Sequence, residues 1–246
     1  MRQTFGLALT FLTILPFPAG RAAAARDLAA AMAWFPTVGL VLGGILALAA
    51  AVSGQRLPPA AAAAILVALL TGLTRGLHLD GLADTLDGLG GGRSREDALR
   101  IMKDHAVGAF GAVGIAVILI LKYGLLVALL ARPSLAPLII VPVSSRFAMV
   151  LLAYLSPYAR PEGGLGEAMT TLTTGRTLAW AAGSALVLAA VVNPRLGLAT
   201  LSLVTLLTCG AAVYFRRRLG GVTGDICGAV NEVMEVTALL ICVAGG

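Results

Sequence analysis

Apolar runs of about 17 to 25 residues recur along the chain, the length a helix needs to cross the hydrocarbon core of a bilayer. They predict spanning helices at 31–53, 59–77, 107–131, 134–155, 177–192, 197–215 and 226–244. Tight turns at Arg56-Leu57-Pro58-Pro59, Arg132-Pro133 and Asn193-Pro194-Arg195 separate successive runs. Only 12% of the 246 residues are charged, about half the share of a soluble domain. The expected fold is therefore all-α: a polytopic transmembrane helical bundle of about seven spans, forming one integral membrane domain over residues 1–246. No internal repeat or linker divides it.

The N-terminus has the outline of a signal peptide: Arg2, then an apolar run from Phe5 to Phe17, then Ala22 to Ala25. Pro16 and Pro18 end that run early, and Arg21 and Arg26 follow it. The expectation is a retained short helix, interfacial or re-entrant.

Basic residues orient the spans. The N-terminal segment and the loops near 78–106, 156–176 and 216–225 fall on one side and, with Arg75, hold thirteen of the eighteen Lys and Arg. The turns at Arg56, Arg132 and Arg195 hold three. By the positive-inside rule the long loops are cytoplasmic, with Arg216-Arg217-Arg218 as a topology signal. That rule also accounts for the sequence pI of about 9.8 without nucleic acid as a partner. Lys122 and Arg146 fall inside spans: Lys122 is expected to snorkel outward, and Arg146 to pair or to face a polar cavity.

Every acidic residue falls on the same side as the long loops or at a helix end facing it. Nine of the twelve lie between Asp80 and Asp104 or between Asp225 and Glu235. Carboxylates beside hydrocarbon are expensive and mark functional sites. Asp80, Asp84 and Asp87, four and three residues apart, share one stripe of a helix, and like charges so spaced repel unless a cation lies among them. Asp225, Glu232 and Glu235 repeat that pattern, with Gly228 and Ala229 leaving the gap open. Asp225 also suits a helix start, as a cap or as a charge complementing the dipole. Hard oxygen ligands without Cys or His partners select Mg²⁺, Mn²⁺ or Ca²⁺ over zinc or copper. Cys209, Cys227 and Cys242 form no metal-binding or disulfide pattern.

Between the clusters, Gly90-Gly91-Gly92 resembles a phosphate-cradling loop, although a lone glycine run is more often a flexible linker. Ser94 and Asp97 read as a capping pattern for a short interfacial helix over 95–103. Lys103 and Asp104 abut a span whose first turn carries Gly108 and Gly111. Those glycines suit close helix packing or an anion held at backbone N–H groups. Together the parts point to metal-assisted chemistry on a phosphate-containing substrate at the membrane surface, with a carboxylate as general base.

The chain resembles the cobalamin synthase (adenosylcobinamide-GDP ribazoletransferase) family nearly end to end. The resemblance rests on Leu9-Thr10-Phe11-Leu12-Thr13-Ile14-Leu15-Pro16 and Trp34-Phe35-Pro36-Thr37-Val38-Gly39. It continues through His78-Leu79-Asp80-Gly81-Leu82-Ala83-Asp84 with Asp87-Gly88, and Ile101-Met102-Lys103-Asp104 with Gly108 and Gly111. It closes on Gly224-Asp225, Gly228-Ala229, Asn231-Glu232 and Glu235. Two positions depart from the family pattern: His105 replaces a small hydroxyl residue, and Arg75 a smaller one.

The resemblance implies transfer of the adenosylcobinamide phosphate moiety to α-ribazole or its 5′-phosphate, with release of GMP. It implies a multi-pass enzyme of the bacterial cytoplasmic (inner) membrane whose active site faces the cytoplasm. It implies Mg²⁺ (or Mn²⁺) held by Asp80, Asp84, Asp87, Asp225, Glu232 and Glu235, and Asp80, Asp84, Asp87, Lys103 and Asp104 as catalytic residues. Arg75, His78, Gly81, Gly108, Gly111, Arg146 and Asn231 are expected to bind substrate. The expected partners are the two substrates and the lipid bilayer, and the sequence leaves a homo-oligomer open. The competing readings are a CDP-alcohol-type lipid phosphotransferase and a cation transporter. Transport sites usually lie between repeats near the midplane, whereas these carboxylates gather toward one face.

Overall fold

Each apolar run becomes a helix, and local turn chemistry decides where it starts and stops. The computed structural model describes residues 2–18, 24–104 and 106–245. Arg21 and His105 lie outside the described residues. In chain order the helices are α1 (Arg2–Leu12), α2 (Ala25–Ala31), α3 (Phe35–Ser53), α4 (Pro59–Leu73), α5 (Leu77–Gly91) and α6 (Arg95–Ile101). They continue with α7 (Ala109–Leu130), α8 (Ala136–Leu155), α9 (Leu165–Thr171), α10 (Gly175–Val192), α11 (Pro194–Leu219) and α12 (Gly224–Ala244).

Side-chain caps satisfy the free N–H groups at several starts. Ser94 Oγ accepts from Asp97 N at α6, Thr174 Oγ1 from Thr177 N at α10, Asn193 Oδ1 from Leu196 N at α11, and Thr223 Oγ1 from Ile226 N at α12. Asp225 is thus a first-turn residue of α12 and not its cap. Gly220, at φ 76°, ends α11 in the left-handed conformation that glycine adopts without penalty.

Among the described residues, six helical segments are long and apolar enough to span a membrane, the first running from Ala25 to Ser53. A seventh exists if α4 and α5 count together, but the two are bent by 86°. The expected span over 59–77 therefore stops at Leu73. Arg75 (φ 55°) and Gly76 (φ 66°) both take left-handed backbone and turn the chain. The last expected loop is shorter than predicted as well: α11 carries Arg216, Arg217 and Arg218 in its final turn.

Helix α8 is the central strut, packed against α3, α10, α11 and α12. Gly39 and Gly43 lie one turn apart and bring α3 onto the α8 backbone. A Cβ at Gly39 would collide with the Pro142 carbonyl oxygen, and one at Gly43 would come within 2.7 Å of the Leu138 oxygen. Close approach through small residues is how helices associate where no hydrophobic force separates them from lipid. At the charged end of the bundle, Ile14 N donates to Leu73 O at 2.8 Å, which sets the chain after α1 against the α4–α5 bend.

Candidate active site

The site begins with two glycines that let α5 and α12 touch. A Cβ on Gly81 would come within 2.6 Å of the Asp225 carbonyl oxygen, and one on Gly228 within 3.2 Å of the His78 Cα. The helices run antiparallel, so the start of α12 lies beside the middle of α5. Gly81→Ala is expected to lower stability by about 1–3 kcal/mol, because two backbones must part. Gly44→Ala, where a Cβ meets nothing within 4 Å, is not. Thermal unfolding of both variants in detergent checks this.

That crossing creates a rim of carboxylates. Asp80 is exposed, and Asp84 and Asp225 are half-buried. Asp84 lies within electrostatic reach of Asp225, Asp80 and Asp87, with Arg160 as its opposing cation. Arg160 Nη2 donates to Asp225 Oδ2 at 2.7 Å and to Met102 O at 3.3 Å. A short backbone pairing places this arginine: Ala159 N donates to Val222 O at 3.0 Å and Val222 N to Pro157 O at 2.9 Å. Burial raises the Tyr158 phenol above its usual value of 10, so it stays protonated and donates to Gly163 O at 3.3 Å. Sequence reasoning missed Arg160, which it treated as one more basic loop residue. No spacing signal marks it, since its partner lies 65 residues away.

The remaining expected residues divide. Asp87 is buried and faces α7: its Oδ2 accepts from Gly108 N at 2.7 Å and its Oδ1 from Gly111 N at 2.9 Å. Those glycine N–H groups do bind an anion, but it is the chain's own carboxylate. Lys103 and Asp104 are exposed; Lys103 pairs with Glu162, and Asp104 Oδ1 accepts from Ala106 N at 3.1 Å. Arg75 reaches toward the Thr10 and Phe11 carbonyls at 3.4 Å, tying the bend to the end of α1.

The deeper carboxylates form a second, separate group. Lys122 Nζ donates to Glu232 Oε2 at 2.6 Å and also to Glu235, while Arg146 pairs with Glu235. Asn231 Nδ2 donates to Glu235 Oε1 at 3.3 Å. All five side chains are buried, as is His78. Lys122 therefore does not snorkel outward. The reason is two carboxylates one turn apart on α12, of which Arg146 alone could balance only one. Arg146 pairs as expected of a mid-span cation. His78, Arg146 and Asn231, expected to bind substrate, are buried beneath the rim. Among the described residues no three His, Cys, Asp or Glu side chains are gathered so as to enclose a metal ion.

A helical bundle with a carboxylate and arginine rim at one end and a charge-balanced ionic group beneath it defines a polytopic membrane protein with a polar site at one face. The chain belongs to the cobalamin-5-phosphate synthase family, whose model matches residues 4–243. Similar proteins named adenosylcobinamide-GDP ribazoletransferase include one from Syntrophobacter fumaroxidans, 47% identical over 97% of each chain. Another, from Geotalea daltonii, is 38% identical over 100% of this chain and 99% of its own. A third, from Chlorobaculum parvum, is 42% identical over 95% and 92%. No solved structure matches. The protein is accordingly a transferase of a late step in cobalamin biosynthesis.

Proposed function

We propose that the rim formed by Asp80, Asp84, Asp225 and Arg160 carries out Mg²⁺-dependent transfer of the adenosylcobinamide phosphate moiety. The donor is adenosylcobinamide-GDP, the acceptor α-ribazole or its 5′-phosphate, and the products are adenosylcobalamin or its phosphate and GMP. The observation that carries this reading is Asp84, half-buried among three like charges with one arginine opposing them. Such a group suits a hard divalent cation and a polyanion together.

Of the six acidic residues considered for the cation, three are committed elsewhere. Asp87 holds the start of α7, and Glu232 and Glu235 are balanced by Lys122 and Arg146. We assign the cation to the rim of Asp80, Asp84 and Asp225, which does not enclose a metal ion by itself; its oxygen-only donors fit Mg²⁺ or Mn²⁺ shared with substrate phosphate oxygens. When bound, Mg²⁺ would neutralise diphosphate oxygens and favour the departure of GMP.

The protein's own groups supply the rest. Arg160 offers its guanidinium to the diphosphate while holding Asp225 in place. A rim carboxylate, Asp84 in this scheme, accepts the proton from a ribose hydroxyl of α-ribazole as its oxygen bonds to the phosphorus nearer the cobinamide. The phosphoanhydride bond to GMP breaks in the same exchange. Lys103, beside Arg160 on the same face, adds positive charge for the leaving nucleotide. The site faces the cytoplasm of the bacterial inner membrane, as the basic loops direct.

Arg160→Gln is expected to lower GMP release by about 10- to 100-fold, the worth of one hydrogen bond to a charged group. Arg160→Lys is expected to recover part of it. The reading itself is tested by GMP release from lipid-reconstituted protein given adenosylcobinamide-GDP and α-ribazole, with Mg²⁺ or with EDTA. Release that requires both substrates and the metal supports it. Turnover of a CDP-alcohol, with adenosylcobinamide-GDP ignored, would overturn it.

A further inference from the structure

Outside the carboxylate site, the chain's two tryptophans meet across a groove. Trp34 and Trp180 stand edge to face with ring centroids 5.9 Å apart. The groove, of about 720 Å³, lies between the α2 region and the start of α10. Arg26, Arg176, Thr171 and Thr177 line it with the two indoles, and no acidic residue does. Its volume is in the range that holds a small-molecule group. Among the described residues neither arginine forms an ion pair with a carboxylate.

The vertical order of groups on α10 is informative. Arg176, Trp180, Gly183 and Val187 fall at helical spacings of four, three and four, so they share one stripe. Below Trp180, which is 51% exposed, the stripe stays open and apolar, with Val187 at 59% and Val191 at 78%. Helix α10 is long and apolar enough to span a membrane, so its first turns sit at one interface. Cation, indole, then bare aliphatic surface is the sequence of chemistries met by a phospholipid: phosphate, glycerol region, acyl chain.

We propose that this groove seats the headgroup phosphate of an anionic glycerophospholipid. Arg26 and Arg176 hold the phosphate, Trp34 and Trp180 pack against the glycerol region, and one acyl chain runs along Val187 and Val191. The inference rests on the membrane reading of α10 and stands or falls independently of the transferase reading.

Because both tryptophans line the groove, intrinsic fluorescence reports it without a label. The purified full chain is placed in neutral phosphatidylcholine nanodiscs containing a brominated lipid, either phosphatidylglycerol or phosphatidylcholine. Brominated phosphatidylglycerol is expected to quench at about 25-fold lower mole fraction, roughly fivefold for each arginine near the surface. Arg26→Gln/Arg176→Gln is expected to bring the two lipids together, and Arg26→Lys/Arg176→Lys to retain the preference. Equal quenching by both lipids in the unaltered protein overturns the proposal, as does a preference that survives in the glutamine pair. Inorganic phosphate added at millimolar concentration is expected to leave the preference intact. Its abolition would assign the groove to a free anion, and loss of quenching on adding adenosylcobinamide-GDP would assign it to substrate; either result removes the lipid.

Discussion

GMP release by the Asp84→Asn variant is expected to fall by about 10³-fold or more, the combined scale of a lost general base and a lost cation ligand. The substitution keeps shape and removes charge at a half-buried position that faces Asp225, Asp80, Asp87 and Arg160. Removing one of several mutually repelling carboxylates relieves repulsion, so the variant should fold at least as stably as the parent. Loss of turnover in a protein of unchanged thermal stability separates a chemical role from a structural one. A variant that releases GMP at near the parent rate would sink the assignment of Asp84. The assay reads the rim alone, because Asp84 makes none of the hydrogen bonds that hold α7, α8 and α12 together.

The second large effect lies deeper. Lys122→Met leaves Glu232 and Glu235 with Arg146 as their cation, so one buried carboxylate loses its partner. Removing one member of a buried ion pair costs about 3–5 kcal/mol. The variant is expected to lose that much stability, read by thermal unfolding in detergent. Lys122→Met with Glu232→Gln restores the charge balance and is expected to recover most of the loss. Recovery distinguishes an electrostatic role from the loss of methylene packing, which the double variant does not repair. No recovery would show that the lysine matters through shape. Since α7, α8 and α12 each contribute to this group, it fixes the helix positions on which the rim depends.

Sequence spacing reached the stripes of carboxylates but not their partners. Asp80, Asp84 and Asp87 do share α5, and Asp225, Glu232 and Glu235 share α12. A spacing rule says which residues share a face; it says nothing about what packs against that face. Lys122 lies 110 residues from Glu232 in the chain, and Arg160 lies 65 from Asp225, so neither pairing has a local signature. The stripe on α12 consequently divides, its first carboxylate at the rim and its last two beneath it. On α5, Asp87 turns to the backbone of Gly108 and Gly111, a use that the adjacent glycine-rich helix start hinted at without naming its anion.

The bend between α4 and α5 was hidden for a different reason. Only Thr74, Arg75 and Gly76 separate Leu73 from Leu77, too short an interruption for a span-length hydropathy window to register. The local cue was Gly76, which adopts φ 66° at low cost, beside Arg75, which does not take φ 55° so readily. The spans themselves were legible because bilayer thickness imposes a length on them. The short α9 was not, since seven residues carry too little periodicity to stand out from a loop.

The central claim, that the cation lies at the rim and not among the deeper glutamates, is tested most directly by Mn²⁺ binding followed by electron paramagnetic resonance. The lipid-reconstituted protein is compared with Asp84→Asn, Asp225→Asn and the charge-balanced Lys122→Met/Glu232→Gln pair. Bound Mn²⁺ is predicted to disappear in the two rim variants and to persist in the deep pair. Mn²⁺ that survives both rim substitutions, or that is lost only in the deep pair, would contradict the claim and move the cation down to Glu232 and Glu235.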